Sequence, residues 1–344
     1  MSPGAPPAVT RILAIDGGGI RGLIPALVLT EVERLTGKRI AELFDLIAGT
    51  STGGILAAGL TVPDASRKAP MYRADELVGL YRDHGEEIFS AGFLRKAWSL
   101  FVGAEYSPHN LEEHLKKQLG DHRLAEAVTG LLITAYDMHE GEAWFFSRSA
   151  AQKSPRDRDF PLWEVCRATS AAPTYFPPFK LGDTKAALVD GGVFANNPGL
   201  CAWVDEHEGI DPKAPVMLLS LGTGSVPHPV TFTRARRWGK IRWAQPAIGA
   251  FMDGQSDTAE YQLGRLLDPT VYLRLQPRLT EKHEKMDDAS KPNLAALQHA
   301  AMHMLDEPET ARRLRDFCDR LVMGDTAPAP LPGAAPPIPE PTVR

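Results

Sequence analysis

Three glycine-bearing stretches of this chain carry the residue types that acyl or phosphoryl chemistry needs. The first is Gly49-Thr50-Ser51-Thr52-Gly53. Glycines on either side of a serine suit a sharp strand-to-helix turn that lifts the hydroxyl clear of the backbone. A place at the head of a helix also favours negative charge developing on the hydroxyl oxygen. The second, Asp16-Gly17-Gly18-Gly19-Ile20-Arg21-Gly22, can aim several main-chain N–H groups at one point, as an oxyanion or a phosphate requires. The third runs from Val189-Asp190-Gly191-Gly192 to Asn196-Asn197-Pro198; its aspartate closes a short apolar run, where α/β enzymes keep catalytic groups. Each has a plainer reading. The first fits a simple Gly/Ser turn, and the third an ordinary Asp-Gly turn. The second satisfies Gly-x-Gly-x-x-Gly, the dinucleotide fingerprint. A dinucleotide unit, however, ends its next strand near an acidic ribose ligand, whereas here that strand ends in the serine elbow. Beside the elbow, the loop reads better as an oxyanion hole.

The surrounding pattern supplies elements to hold these stretches. Ile12-Leu13-Ala14-Ile15 reads as a strand, and a helical pattern follows from Leu23 to Leu35, with Gly37 placed to end it. Phe44 to Ala48 reads as a second strand entering the serine turn, and Ile55 to Leu60 as the helix leaving it. Two strand–glycine turn–helix units in succession predict an α/β fold with a mainly parallel sheet between helices. Further helices are expected at 74–89, 109–119 and 161–171. Strands are expected at Leu131–Tyr136, Ala143–Phe146, 187–190, Val216–Ser220 and near Val271–Leu273, in a mainly helical last third. Residues 1–9 and 325–344 are rich in Pro and Ala, lack apolar content, and are expected to be disordered, leaving one domain over 10–324.

Bulk composition excludes several classes. Of 344 residues, 43% are hydrophobic and 24% charged, an ordinary globular balance. A net charge of −5 argues against a nucleic-acid polymer as partner. Three dispersed cysteines, Cys166, Cys201 and Cys318, suggest neither a disulfide framework nor a cysteine zinc site. The N-terminal stretch has no basic segment followed by an apolar one, and no apolar run reaches a membrane span. The expectation is a soluble, cytoplasmic protein.

In order and spacing, the three stretches resemble the signatures of the patatin-like phospholipases, and Arg167-Ala168-Thr169-Ser170-Ala171-Ala172-Pro173-Thr174-Tyr175-Phe176 looks like that family's helix ahead of the Asp-Gly-Gly segment. The resemblance spans roughly residues 10–225. It implies a three-layer α/β fold and a catalytic Ser–Asp dyad without histidine. Ser51 would attack an ester carbonyl to form an acyl-enzyme, with Asp190 as its base. Gly17, Gly18, Gly19, Arg21 and the Thr52 N–H would form the oxyanion hole. No cofactor or metal is implied, and the substrate class is membrane phospholipid or another lipid ester, met peripherally at the membrane surface. A free carboxylate near pKa ~3.9 is a poor base, so burial should raise that of Asp190. Without a secretion signal like that of plant storage patatins, the chain would be expected to lie nearer the intracellular bacterial branch.

Other signals carry less. None of the ten histidines lies in a legible motif, although a Ser-His-Asp carboxylesterase stays open as an alternative, as does a nucleotide-binding module in which Ser51 is incidental. His299 and His303 sit one helical turn apart but lack a His-Glu-x-x-His context. The apolar stretch 93–102 suits a core helix better than a lid. The basic, aromatic segment 234–243 could meet anionic lipid or, as in antiphage members of the family, a cyclic nucleotide activator. Head-group preference and oligomeric state are closed to sequence reasoning.

Overall fold

Apolar runs such as Ile12-Leu13-Ala14-Ile15 and Val216-Met217-Leu218-Leu219 have no polar alternation, as strands covered on both faces require. In the computed structural model, which describes residues 9–89, 109–206, 215–226, 232–280, 283 and 285–323, they form the middle of one eight-stranded sheet. The strands are β1 (Thr10–Ile15), β2 (Leu46–Thr50), β3 (Gly130–Asp137), β4 (Glu142–Ser147), β5 (Phe179–Lys180), β6 (Ala187–Asp190), β7 (Val216–Leu221) and β8 (Tyr272–Leu275). Their order is β5-β6-β3-β2-β1-β7-β8, with β4 also paired to β3. Pairings from β3 through β2, β1 and β7 to β8 are parallel; those of β4, β5 and β6 are antiparallel.

The longer helices are α1 (Leu23–Thr36), α2 (Thr52–Thr61), α3 (Ala74–Phe89), α4 (His109–Leu119), α5 (Leu162–Thr169), α6 (Gly199–Glu206), α7 (Lys240–Leu266), α8 (Lys291–Asp306) and α9 (Pro308–Met323). One face of the sheet, with Leu13, Ile15, Ile47 and Leu219, packs against α1 to α5, α8 and α9; one apolar cluster there reaches from Leu13 to Leu321. The opposite face, with Ile12, Ala14, Leu46 and Leu218, is covered by Ala202 of α6 and Leu263 of α7. The result is the three-layer arrangement expected from the alternation of strands and helices. All ten residues of α2 are buried, which explains its nearly uniform apolar composition. The three cysteines are free thiols.

Several sequence-derived boundaries shift for physical reasons. The second strand begins at Leu46 rather than Phe44, because Phe44 caps a short helix over Ile40–Leu43 and the Asp45 carboxylate accepts from the Arg11 N–H and guanidinium. Helix α2 starts at Thr52, three residues before its apolar signal, since its first turn is made of threonine and glycine. The helix expected over 161–171 is confined to Leu162–Thr169. The stretch 93–102 and the tail 325–344 lie outside the described residues, as does the leader except for Val9.

Candidate active site

Ser51 and Asp190 are 139 positions apart in the chain, and one strand brings them together. Residues Leu132 to Asp137 of β3 pair with β4 along one edge. The other edge is divided: β2 occupies it up to Thr50, opposite Thr134, and β6 runs in from the other direction to end at Asp190, opposite Ala135. Two strands therefore end head to head at adjacent positions, and the residues leaving them face each other. Thr50 reinforces the junction, its hydroxyl sharing a 2.7 Å hydrogen bond with that of Thr134 and donating at 2.7 Å to the Ala195 carbonyl.

Ser51 has φ 55° and ψ −124°, a backbone conformation that side chains rarely adopt and that costs on the order of 1–3 kcal/mol. The turn persists because its neighbours overdetermine it. The Ser51 N–H donates to the Thr169 hydroxyl at 2.8 Å, and the Ser51 carbonyl accepts from the Gly54 and Ile55 N–H groups. A Cβ at Gly49 would collide with the Gly53 carbonyl, and one at Gly53 with the Ile15 carbonyl. Both glycines of the elbow are thus set by close backbone approach.

The Asp190 carboxylate is buried. Its Oδ1 accepts the Gly192 N–H at 2.7 Å, while Oδ2 has no hydrogen-bond partner. Burial pushes its pKa up to about 6, against the opposing influence of the nearby Ser51 hydroxyl and the Gly192 N–H. The serine is close enough to favour the carboxylate without a formed hydrogen bond, a spacing common in unliganded sites. The Asp190 N–H is tied to the Ala171 carbonyl at 3.1 Å, anchoring the aspartate to the segment after α5. That segment is held by Arg167, whose guanidinium donates to the Pro177 carbonyl and to Glu112, both at 3.2 Å, and lies over the rings of Phe176 and Phe179.

The glycine loop is fastened from behind. The Thr223 hydroxyl donates to the Gly17 carbonyl at 2.7 Å, and the Gly18 carbonyl accepts from the Arg21 N–H at 3.2 Å and from Arg21 Nε at 3.5 Å. A trans peptide points its N–H opposite its carbonyl. The Gly18 and Gly19 N–H groups are therefore turned away from those anchors, and neither they nor the Thr52 N–H meets an acceptor among the described residues. Gly17 differs, for its N–H is already donated to the Asn196 carbonyl at 3.1 Å, so its part is steric. Arg21 also reaches the Gly224 carbonyl at 3.4 Å.

Behind the loop lies a buried ion pair that sequence reasoning missed. Arg274, on β8, grips Asp16 with two hydrogen bonds of 2.9 and 2.6 Å and reaches the Ser220 hydroxyl at 2.9 Å. Burial works against charge on Arg274, but Asp16 and Glu260 outweigh it and hold the guanidinium protonated. The pairing spans 258 positions, and no local pattern announces it. Thr169 and Asn196 were at least inside recognised stretches.

Gly19, Ser51, Thr52 and Asp190 open on one recess, whose other walls include Ile55, Leu111, Tyr175, Phe176, Met252 and Met286. No histidine among the described residues lines it, so a Ser-His-Asp triad finds no support there. Met252 comes from α7, and the Met286 carbonyl accepts the Ile20 N–H at 2.9 Å; the last third of the chain thus roofs the recess. His299 and His303 stack on α8 beside a separate cleft.

Comparison with known proteins identifies the family. Residues 13–203 match the family model described as patatin-like phospholipase. Patatin-like protein 2 of Oryza sativa subsp. indica is 35% identical, with 87% of this chain and 84% of the rice protein covered. Patatin-T5 of Solanum tuberosum is 32% identical over 88% of this chain and 86% of its own length. Among solved structures, VipD from Legionella pneumophila aligns with 13% identity and a TM-score of 0.34, covering 87% of this chain and 68% of that one. ExoU in its complex with SpcU from Pseudomonas aeruginosa aligns with 15% identity and a TM-score of 0.30, covering 90% and 60%.

Proposed function

Since the chain belongs to the patatin-like phospholipase family and is a carboxylic ester hydrolase, we propose that it cleaves fatty-acyl esters of glycerophospholipids through Ser51 and Asp190. The observation that carries this is the pairing of a strained serine at a helix head with a buried carboxylate whose second oxygen is unpartnered. Asp190 Oδ2 takes the Ser51 proton as Oγ attacks the ester carbonyl, and the carbonyl oxygen becomes an oxyanion. The N–H groups of Gly18, Gly19 and Thr52 receive it, with helix α2 pointing its positive end at the same place. The proton on Asp190 then passes to the departing alcohol, leaving an acyl-enzyme. Water attacks that ester in the second half, giving its proton to Asp190, and Ser51 is regenerated with release of the fatty acid.

An apolar-walled recess suits acyl chains better than a dinucleotide, whose phosphates need polar company. No helix among the described residues is long and apolar enough to cross a membrane. Exposed Phe232, Trp243 and Phe251, with Arg236 and Arg237 near by, support action at a lipid surface. Purified protein incubated with mixed phospholipid vesicles and a chelator should release fatty acid, and Ser51→Ala should release none. Equal release by both proteins would defeat the proposal. Cyclic dinucleotides added to the same assay test the activator reading of segment 234–243, which fails if none alters the rate.

A further inference from the structure

The recess over Ser51 does not end at its own walls. Ile55 and Leu111 also line a second cavity of about 220 Å³ between α2, α3 and α4, whose other sides include Gly59, Leu77, Leu80, Ile88, Leu115 and Leu119. Ile55 stands one helical turn after Ser51, so the partition between nucleophile and cavity is a side chain placed by the elbow's own helix. Protein interiors rarely leave voids much larger than a water molecule. An apolar cavity of roughly 150 Å³ elsewhere stays dry and takes in benzene; this one is larger and adjoins a nucleophile. Its outer rim is polar, with Tyr72, Glu76, Asp83 and His84, and with His114 held by Glu87 at 2.9 Å.

We propose that this cavity is the acyl-chain site: Ile55 and Leu111 form its gate, and the polar rim limits the length of chain it takes. The assignment rests on Ser51 being the nucleophile, because it is the carbonyl carbon seated there that aims the chain past Ile55. On the scale of six carbons in roughly 150 Å³, the cavity has room for roughly nine, so the ester favoured is one of a medium-chain fatty acid. The choice of occupant follows from continuity with the reacting centre and from mainly apolar walls, in which the buried Tyr81 hydroxyl is already engaged with that of Thr52. Each methylene moved from water into such a site is worth about fourfold in kcat/KM. Four added methylenes should then raise kcat/KM on the order of a hundredfold.

The test compares hydrolysis of p-nitrophenyl octanoate and butanoate, and measures binding of octanoic acid directly by titration calorimetry. Leu115→Trp fills the cavity from α4, and Leu80→Trp does so from α3, so one serves if the other does not fold. The octanoate-to-butanoate ratio of kcat/KM should fall at least tenfold in the filled variants, and the Kd for octanoic acid should rise at least tenfold. Taking the ratio cancels any general loss of turnover. A ratio and Kd both within twofold of wild type in a folded variant would overturn the assignment. If the wild type cleaves neither ester yet binds octanoic acid, and Leu115→Trp weakens that binding, the cavity assignment holds and the nucleophile assignment falls.

Discussion

Replacing Asp190 with asparagine should make the protein less active and more stable, and the two effects have one cause. Burial raises the Asp190 pKa from 3.8 to about 6. A shift of about 2 units corresponds to about 3 kcal/mol, at about 1.36 kcal/mol per unit. The folded-state value lies above the unfolded one, so the protonated carboxyl is the form that suits the fold. Below about pH 4 both states are protonated and ionisation costs nothing. Between about pH 4 and pH 6 the unfolded chain ionises first, and above pH 6 the full cost of a buried carboxylate is carried by the native state. The asparagine side chain never ionises, and its amide can donate to the Ser51 oxygen. Urea denaturation at pH 8 should therefore show the variant more stable than wild type by up to about 3 kcal/mol, the difference vanishing near pH 4. Wild-type kcat/KM should fall about tenfold between pH 7 and pH 5, because a base titrating near 6 is about one-tenth ionised at pH 5. A carboxylate left at 3.8 would be more than about nine-tenths ionised there, and the rate would be flat. The variant should lose on the order of a hundredfold to ten-thousandfold in kcat and show no such limb. A pH-independent wild-type rate over that interval, or no stability gain at pH 8, would refute the reasoning.

Three further outcomes follow from the same geometry. Ser51→Gly should abolish hydrolysis and raise stability by about 1–2 kcal/mol, since glycine tolerates the positive φ that serine endures; a lower melting temperature would contradict the strain argument. Gly53→Ala should destabilise by about 3 kcal/mol or more, because its methyl group meets the Ile15 and Asp16 carbonyls and neither backbone can retreat; denaturant midpoints decide it. Arg274→Met should cost about 3–5 kcal/mol by leaving Asp16 buried and unpaired, and Asp16→Asn added to it should recover most of that loss; a double variant no better than the single one would show that the pair is not what matters.

What could be read from the sequence, and what could not, divides along the distance over which each feature is determined. The elbow at Ser51, the loop from Gly17 to Gly19 and the Asp190-Gly-Gly turn are legible because local backbone geometry dictates their residue types. Strands such as Val216–Leu221 and helices such as Ala74–Phe89 follow from periodicity within the element. The head-to-head meeting of β2 and β6 is not written locally, since it depends on which edge of β3 each one finds. The same holds for Arg274 reaching Asp16, and for Met252 and Met286 arriving over the recess from the last third of the chain. Gly17 shows the limit within a motif: its type is dictated, but only the tertiary fold reveals that its N–H is spent on Asn196.

The shared edge of β3 has a consequence for how this molecule can change over generations. Ser51, just after Thr50, and Asp190 are registered through two consecutive residues of one strand, Thr134 and Ala135. Helices α3, α4 and α7 supply walls of the recess and of the cavity beside it, α4 and α7 reaching the recess through the side chains of Leu111 and Met252. Substitutions in those helices can retune what is admitted while the separation of the two reacting groups stays fixed. On the proposed reading, substrate preference and the chemistry are thus set by separate parts of the fold, and a change in one leaves the other in place.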